Sequence, residues 1–291
     1  MKKAQTLGTI NGIIAAVSYG TNPLFALPIM NAGMSVNSVL FFRYLFAVII
    51  YGIFLKYFKK ISFALKKEEF FTVLILALLF SFSSLTLYGA FKYIDSGLAC
   101  TILFIYPTFV AILGAIFYKE KLSKTMTLSI LIISFGIFLL YGGNNGKPLN
   151  LTGVLLSLTS AVFYALYMVG VKNFKSIKHI KKDTFNFYIM LLGLMVYVVN
   201  SRFCTQIEPI NSPIVLICAI LIAILPTIIS IETINIAIKL IGSTKTALLG
   251  ALEPISAIVF SLLFFGGALT FKISVGVFLI LSGVSLVIMK K

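Results

Sequence analysis

The chain has 291 residues, 60% of them hydrophobic and only 11% charged, and its mean hydropathy is +1.08. Soluble domains carry roughly a quarter charged residues, so this composition excludes a water-soluble fold and leaves no stretch polar enough for a second domain. The net charge of +16 does not point to nucleic acid, because the lysines fall in short clusters between apolar runs, as they do in the loops of membrane proteins.

A membrane helix needs about 20 mainly apolar residues. Ten segments qualify: 7–29, 36–58, 70–92, 96–118, 124–142, 151–172, 184–201, 213–238, 243–265 and 269–289. Met1-Lys2-Lys3 opens the first of them and is not read as a leader, since the apolar run to Ile29 is too long for a signal peptide. With the N-terminus inside, nineteen Lys and Arg fall on the inner side. Four fall on the outer side (Lys92, Lys147, Arg202 and Lys272), and Arg43 lies within a span. This bias predicts cytoplasmic N- and C-termini. The expected fold is an all-α integral membrane protein of ten transmembrane helices.

The first span carries Tyr19 and Asn22 one turn apart, followed by Pro23. Arg43 lies about seven residues into the second span; it reads as a salt-bridge or helix-end anchor, with anion binding as the sharper alternative. Ser84 and Tyr88 share a face of the third span, and Thr101 and Pro107 lie in the fourth. The sixth span has Tyr164 and Tyr167, a spacing that matches Tyr19 and Asn22. In the eighth span Glu232, Asn235 and Lys239 fall on one helical face, which makes Glu232 a candidate for substrate specificity or a helix-packing pair. Glu253 lies near the middle of the ninth, beside Pro254, where the helix is expected to kink. It is a candidate for gating or coupling, or for satisfying backbone groups freed by the proline. His179 falls in a lysine-rich loop.

The second half repeats the first. At an offset of 147, Ile94/Ile241, Ser96/Ser243, Pro107/Pro254, Phe117/Phe264, Leu122/Leu269, Ile133/Ile280, Gly136/Gly283 and Leu139/Leu286 are identical. At an offset of 145, Gly8 falls on Gly153 and Tyr19 on Tyr164. Two copies follow, residues 1–145 and 146–291, with five spans each. An odd number of spans makes the second copy enter from the opposite side, the inverted repeat common in secondary transporters. Pro107 and Pro254 then become symmetry-related hinge candidates.

Over its full length the chain resembles the EamA-type branch of the drug/metabolite transporter superfamily. The similarity rests on Phe41-Phe42-Arg43-Tyr44 in the second span, the junction Ala90 to Ala99, Pro107 and Lys119-Glu120-Lys121-Leu122-Ser123 in the fourth, and Leu252-Glu253-Pro254 in the ninth. Gly267 stands where the first copy has Glu120, so any role for a second terminal glutamate is absent. The resemblance implies a mid-membrane cavity between the copies and alternating access, with amino acids, other small metabolites or organic cations as cargo.

The expected activity is secondary transport of a small polar metabolite, an amino acid or related compound, across the cytoplasmic membrane. The alternative is a proton-coupled carrier of an organic cation such as a quaternary amine. The substrate-binding candidates are Tyr19, Asn22, Ser84, Tyr88, Thr101, Tyr164, Tyr167, Glu232 and Asn235; Arg43 and Glu253 are coupling or gating candidates. The partners expected are the small-molecule substrate, membrane lipid and, for a coupled carrier, protons. Nucleic acid is not expected, and monomer and homodimer both stay open. No cofactor is expected: three cysteines without paired spacing and a single histidine speak against a metal centre. An intramembrane enzyme lacks the His-Glu-x-x-His motif, paired aspartates or any histidine in a span, and no phosphate-binding loop suggests ATP.

Overall fold

The computed structural model describes residues 2–94, 96–119, 123–141, 150–265 and 271–289, and among these every regular element is helical. The first copy contributes α1 (Lys2–Gly20), α2 (Asn22–Asn31), α3 (Val36–Ile53) and α4 (Lys67–Ala90), then α5 (Ser96–Leu103), α6 (Tyr106–Tyr118) and α7 (Lys124–Tyr141). The second contributes α8 (Leu151–Asn173), α9 (Lys182–Asn200), α10 (Pro213–Ala223) and α11 (Ser230–Ile241), then α12 (Ser243–Leu249), α13 (Leu252–Phe265) and α14 (Phe271–Met289). Two wider π-helical stretches, Phe54–Lys59 after α3 and Ile224–Ile229 between α10 and α11, continue those helices without a break.

Local sequence sets the ends. Ser35, Asn150 and Ser212 cap α3, α8 and α10 through their side-chain oxygens. The Glu69 carboxylate accepts the Lys66 N–H at 2.8 Å to start α4. Gly242, at φ +86°, makes the sharp turn from α11 into α12 in a region other residues rarely enter.

Among the described residues, seven helical stretches are long and apolar enough to cross a membrane. They are Lys3–Asn31, Val36–Lys59, Lys67–Ala90, Leu151–Asn173, Lys182–Asn200, Pro213–Ile241 and Phe271–Met289. The fourth and ninth predicted segments do not run as single helices. They are broken, at Phe104–Ile105 and at Gly250–Ala251, into α5/α6 and α12/α13. Lys124–Leu139 is apolar but shorter. Pro107 and Pro254 are therefore not kinks inside a helix, as the sequence suggested. Each sits in the first turn of the second half-helix, where its missing N–H costs no hydrogen bond.

The packing exchanges the two copies. Helix α1 packs on α11 and α13 of the second copy, while α8, its counterpart, packs on α4 and α6 of the first. α3 packs on α10 as α9 packs on α4, and the counterparts α3/α9 and α7/α14 pack on each other. The registers are those of the sequence repeat. A Cβ on Gly8 would lie 2.6 Å from Ile241 Cγ2, and one on Gly153 2.8 Å from Ile94 Cγ2. Likewise a Cβ on Gly136 would lie 2.9 Å from Ile280 Cγ1, and one on Gly283 2.6 Å from Ile133 Cγ1. The repeated glycines are thus points of close helix approach. The α3/α9 pair runs antiparallel: Asn37 bonds Asn200 at 2.9 Å, Gly193 faces Tyr44, and Gly52 faces Phe187.

Candidate functional site

A polar seam runs where the copies meet. Asn22 Nδ2 donates to the Tyr88 hydroxyl at 3.0 Å, tying α2 to α4. The Tyr167 hydroxyl donates to Asn235 Oδ1 at 2.8 Å, tying α8 to α11. Asn22 and Tyr167 are related by the 145 offset, and Tyr88 and Asn235 by the 147 offset. The two bonds are one contact made twice, with the asparagine and tyrosine exchanged. A second exchanged pair lies below it: Ser83 Oγ donates to the Ser160 carbonyl at 3.0 Å, and Ser230 Oγ to the Ala15 carbonyl at 3.2 Å. In the second copy the seam continues, since Asn235 Nδ2 donates to Asn186 Oδ1 at 2.9 Å.

Arg43 lies beside this seam, only 1% exposed. Its position follows from Pro226. That proline has no N–H to bond the Ile222 carbonyl, and the Thr227 hydroxyl takes the carbonyl instead, at 2.8 Å. The π-helical stretch turns the Ser230 N–H to Leu225, away from Pro226. Arg43 Nη2 donates to the Pro226 carbonyl at 2.9 Å, and Nε donates to Thr227 Oγ1 at 2.6 Å. The guanidinium carbon also lies 5.4 Å from the Tyr19 ring centre and 5.9 Å from that of Tyr44. The salt-bridge reading of Arg43 is thereby corrected: among the described residues no carboxylate lies within 4.0 Å of it.

Glu253 begins α13, and its N–H closes the broken turn on the Gly250 carbonyl at 2.9 Å. It lies within electrostatic range of Tyr19, Tyr106 and Tyr164. Tyr106 is its repeat counterpart, and the Tyr106 hydroxyl reaches into the α12/α13 break to bond the Ala247 carbonyl at 3.0 Å. A Cβ at position 250 would collide with that hydroxyl, so a glycine there lets Tyr106 keep this bond. Tyr164 packs edge-on to Tyr106 at 4.8 Å and stacks on Tyr167 at 6.3 Å. Tyr19, Asn22, Tyr88, Tyr164, Tyr167, Asn235, Arg43 and Glu253 thus lie along one seam. Ser84 turns back to the Phe80 carbonyl at 3.3 Å. The side chain of Thr101 and the residues Glu120 and Gly267 lie outside the described residues.

Glu232 does not join them. Its carboxylate lies 3.4 Å from Lys182 Nζ and 3.9 Å from Lys59 Nζ, in a charged cluster at the lysine-rich end. Lys59 also pairs with Asp183 at 3.0 Å, and Asp183 accepts the Tyr51 hydroxyl at 3.3 Å. Lys239, on the predicted Glu232 stripe, lies over the Phe185 ring at 5.3 Å. At the opposite end Glu208 accepts from the Ser35 N–H at 3.2 Å and hydroxyl at 2.8 Å, and from the Ser38 hydroxyl. Partial burial there pushes the Glu208 carboxyl up, but these hydrogen bonds outweigh it and hold its pKa below the ordinary value. A cavity of about 380 Å³ opens beside it, lined by Gly33, Met34, Glu208, Asn211 and Ser212 among others. It lies at this loop end and not in the seam.

The model of the EamA-like transporter family matches residues 6–142 and again 151–289. The chain belongs to the EamA-like transporter family. This places it in the drug/metabolite transporter superfamily and makes it a membrane transport protein built from two repeats. A relative from Haemophilus influenzae, described as an uncharacterized transporter, is 22% identical over 273 residues, covering 90% of this chain and 85% of its own. A solved crystal structure superposes with a TM-score of 0.80 at 16% identity, covering 96% of this chain and 95% of its own. At that identity it supports the fold alone.

Within this EamA-like chain, sequence reasoning missed Tyr44, Ser81, Asn186, Tyr197 and Thr227, all buried around the seam. It also missed Tyr106, although the 147 offset places it on Glu253. Pro226 in the eighth span was a further usable signal, because a proline there frees a carbonyl. Nothing in the sequence says which distant side chain takes it up.

Proposed function

We propose that the protein is a secondary transporter of a small polar metabolite, an amino acid or related compound, and works by alternating access between two inverted five-helix repeats. In this reading it lies in the cytoplasmic membrane with ten crossings and both termini inside. The observation that carries it is the pair of exchanged bonds, Asn22–Tyr88 and Tyr167–Asn235. Two half-sites of the same construction meet between the copies, as a site that must open in turn to either side requires. The antiparallel contact of the counterparts α3 and α9 supports the inversion, and the clustering of lysines supports the orientation.

The test is counterflow of labelled amino acids in proteoliposomes without ATP. Saturable exchange above protein-free liposomes is expected for at least one compound. Counts indistinguishable from empty vesicles across amino acids, amines, sugars and nucleosides would sink the reading.

One observation favours a proton-coupled carrier of an organic cation as the second reading. Tyr106 packs edge-on to Tyr164 and Tyr164 stacks on Tyr167, with Tyr106 and Tyr164 within range of Glu253 and Phe80 4.9 Å from Tyr167, and aromatic faces hold quaternary ammonium groups. In that case Glu253→Gln abolishes uptake of a labelled quaternary amine driven by a pH gradient. Unchanged uptake removes this reading.

A further inference from the structure

We infer that Arg43, with the hydroxyls of Tyr44, Ser81 and Tyr197, forms a receptor for a carboxylate group, so that the cargo is a carboxylate-bearing molecule. This rests on the transport reading above and narrows it. A guanidinium stays protonated in proteins, and a charge at mid-span is costly unless something answers it. The two acceptors that hold Arg43, Thr227 Oγ1 and the Pro226 carbonyl, are neutral. They fix the head group without cancelling its charge.

The remaining nitrogen, Nη1, is buried and has no hydrogen-bond partner among the described residues. The hydroxyls of Tyr44, Ser81 and Tyr197, on side chains at most 1% exposed, likewise make no bond of regular geometry, although they lie close enough to interact with one another. These groups are neighbours. The Tyr44 and Tyr197 rings lie 4.8 Å apart, and Tyr197 lies within electrostatic range of Arg43. Ser81 Oγ and the edge of the Tyr44 ring would each lie 2.9 Å from a Cβ on Gly193, so that glycine lets them meet.

One N–H face and three hydroxyls stand together; the hydroxyls can accept from one another, but none carries the negative charge that would answer the guanidinium. Native interiors rarely leave a buried N–H such as that of Nη1 unpaired. A carboxylate supplies two oxygens with about four lone-pair sites, and guanidinium is its preferred partner. Tyr19, over the guanidinium at 5.4 Å, also lies within range of Glu253. An amino acid anchored by its carboxylate would therefore have the Glu253 carboxyl group on the same side as its ammonium.

Thermal unfolding of the purified full chain tests this with matched probes: L-amino acids, their carboxamides, the corresponding decarboxylated amines, and acids lacking the amine. Carboxylate-bearing probes are expected to raise the unfolding temperature, while amides and amines of the same side chain do not. Arg43→Gln should abolish the response. Tyr197→Phe keeps the ring against Tyr44 and should weaken apparent affinity about tenfold, so it remains informative if the arginine variant fails to fold. Amides that stabilise as well as acids, or a response unchanged in Tyr197→Phe, would overturn the receptor. Amines that stabilise and also exchange in proteoliposomes would overturn it and leave the carrier reading standing. If no probe of any class stabilises or exchanges, both fail.

Discussion

The two copies make the same contacts with different chemistry, and the contrast is sharpest between the seam and the ends. In the seam, Asn22–Tyr88 and Tyr167–Asn235 exchange residue types but keep the bond. At the ends, the related positions Ser38 and Asp183 face opposite loops. Ser38 meets the Glu208 carboxylate, while Asp183 meets Lys59. One end is closed by hydroxyls and backbone N–H groups around a single carboxylate, the other by a cluster of two cations and two anions. The two copies thus share geometry in the seam and differ in charge at their ends.

Even in the seam the match is uneven, and this gives the largest expected effect. Asn235 bonds both Tyr167 and Asn186 and is 2% exposed, whereas Asn22 bonds Tyr88 alone and its Oδ1 is unpartnered. Interhelical hydrogen bonds in membrane proteins average about 0.6 kcal/mol, with a maximum near 1.7. Asn235→Leu breaks two and strands a hydroxyl and an amide, so a loss of about 2 kcal/mol is expected, against about 0.5 kcal/mol for Asn22→Leu. Unfolding of both variants in the same detergent checks it. Equal losses would mean that the bonds are interchangeable in strength as well as in geometry.

The seam is largely legible in the sequence itself, because repeat offsets carry residues onto their counterparts. Tyr19 with Tyr164, Asn22 with Tyr167 and Gly8 with Gly153 follow from 145, and Gly136 with Gly283 and the two prolines from 147. What offsets do not contain is which helix each residue meets. Asn235 as the counterpart of Tyr88, and Tyr106 as that of Glu253, gain meaning only once α11 and α4 both flank the seam. The π-helical stretch at Pro226 is beyond periodicity for a related reason. A proline predicts a freed carbonyl, but kink, break and π-helical turn all accommodate it. Of the expected consequences of intramembrane charge, the salt bridge of Arg43 changed, and Glu232 took the helix-packing alternative. Arg43 found neutral acceptors, and Glu232 found lysines from two other helices in place of the seam.

A smaller effect separates the ends. Asp183→Asn removes the 3.0 Å ion pair with Lys59 and leaves Lys59 with only the longer 3.9 Å contact to Glu232. Because the Lys59 side chain is 32% exposed and that of Asp183 11%, the loss is expected at about 1 kcal/mol, between surface and buried values. Screening should reduce it, so the gap between Asp183→Asn and the parent should narrow from low to about 1 M salt. Ser38→Ala, at the uncharged-donor end, should show a salt-independent loss. If the two variants respond alike to salt, the chemical distinction between the ends does not govern their stability.

The smallest effect concerns pH and belongs to the Glu208 end alone. The pKa of Glu208 is depressed in the folded chain. A depressed carboxyl contributes stability that is fully present above its unfolded value, about 4.3 for glutamate. That contribution disappears as pH falls through the lower folded value. Protonation also turns the oxygen that accepts from Ser35 and Ser38 into a poorer acceptor. Backbone amides at 35–39 should therefore lose exchange protection below about pH 4, while those at 182–187, held by Asp183, Thr184 and Tyr188 to the loop at 59–63, need not follow the same curve. In Glu208→Gln the step at 35–39 should vanish, with protection already low at neutral pH. A step that persists in the variant would assign the titration to another group and remove Glu208 as the acid-sensitive closure of that end.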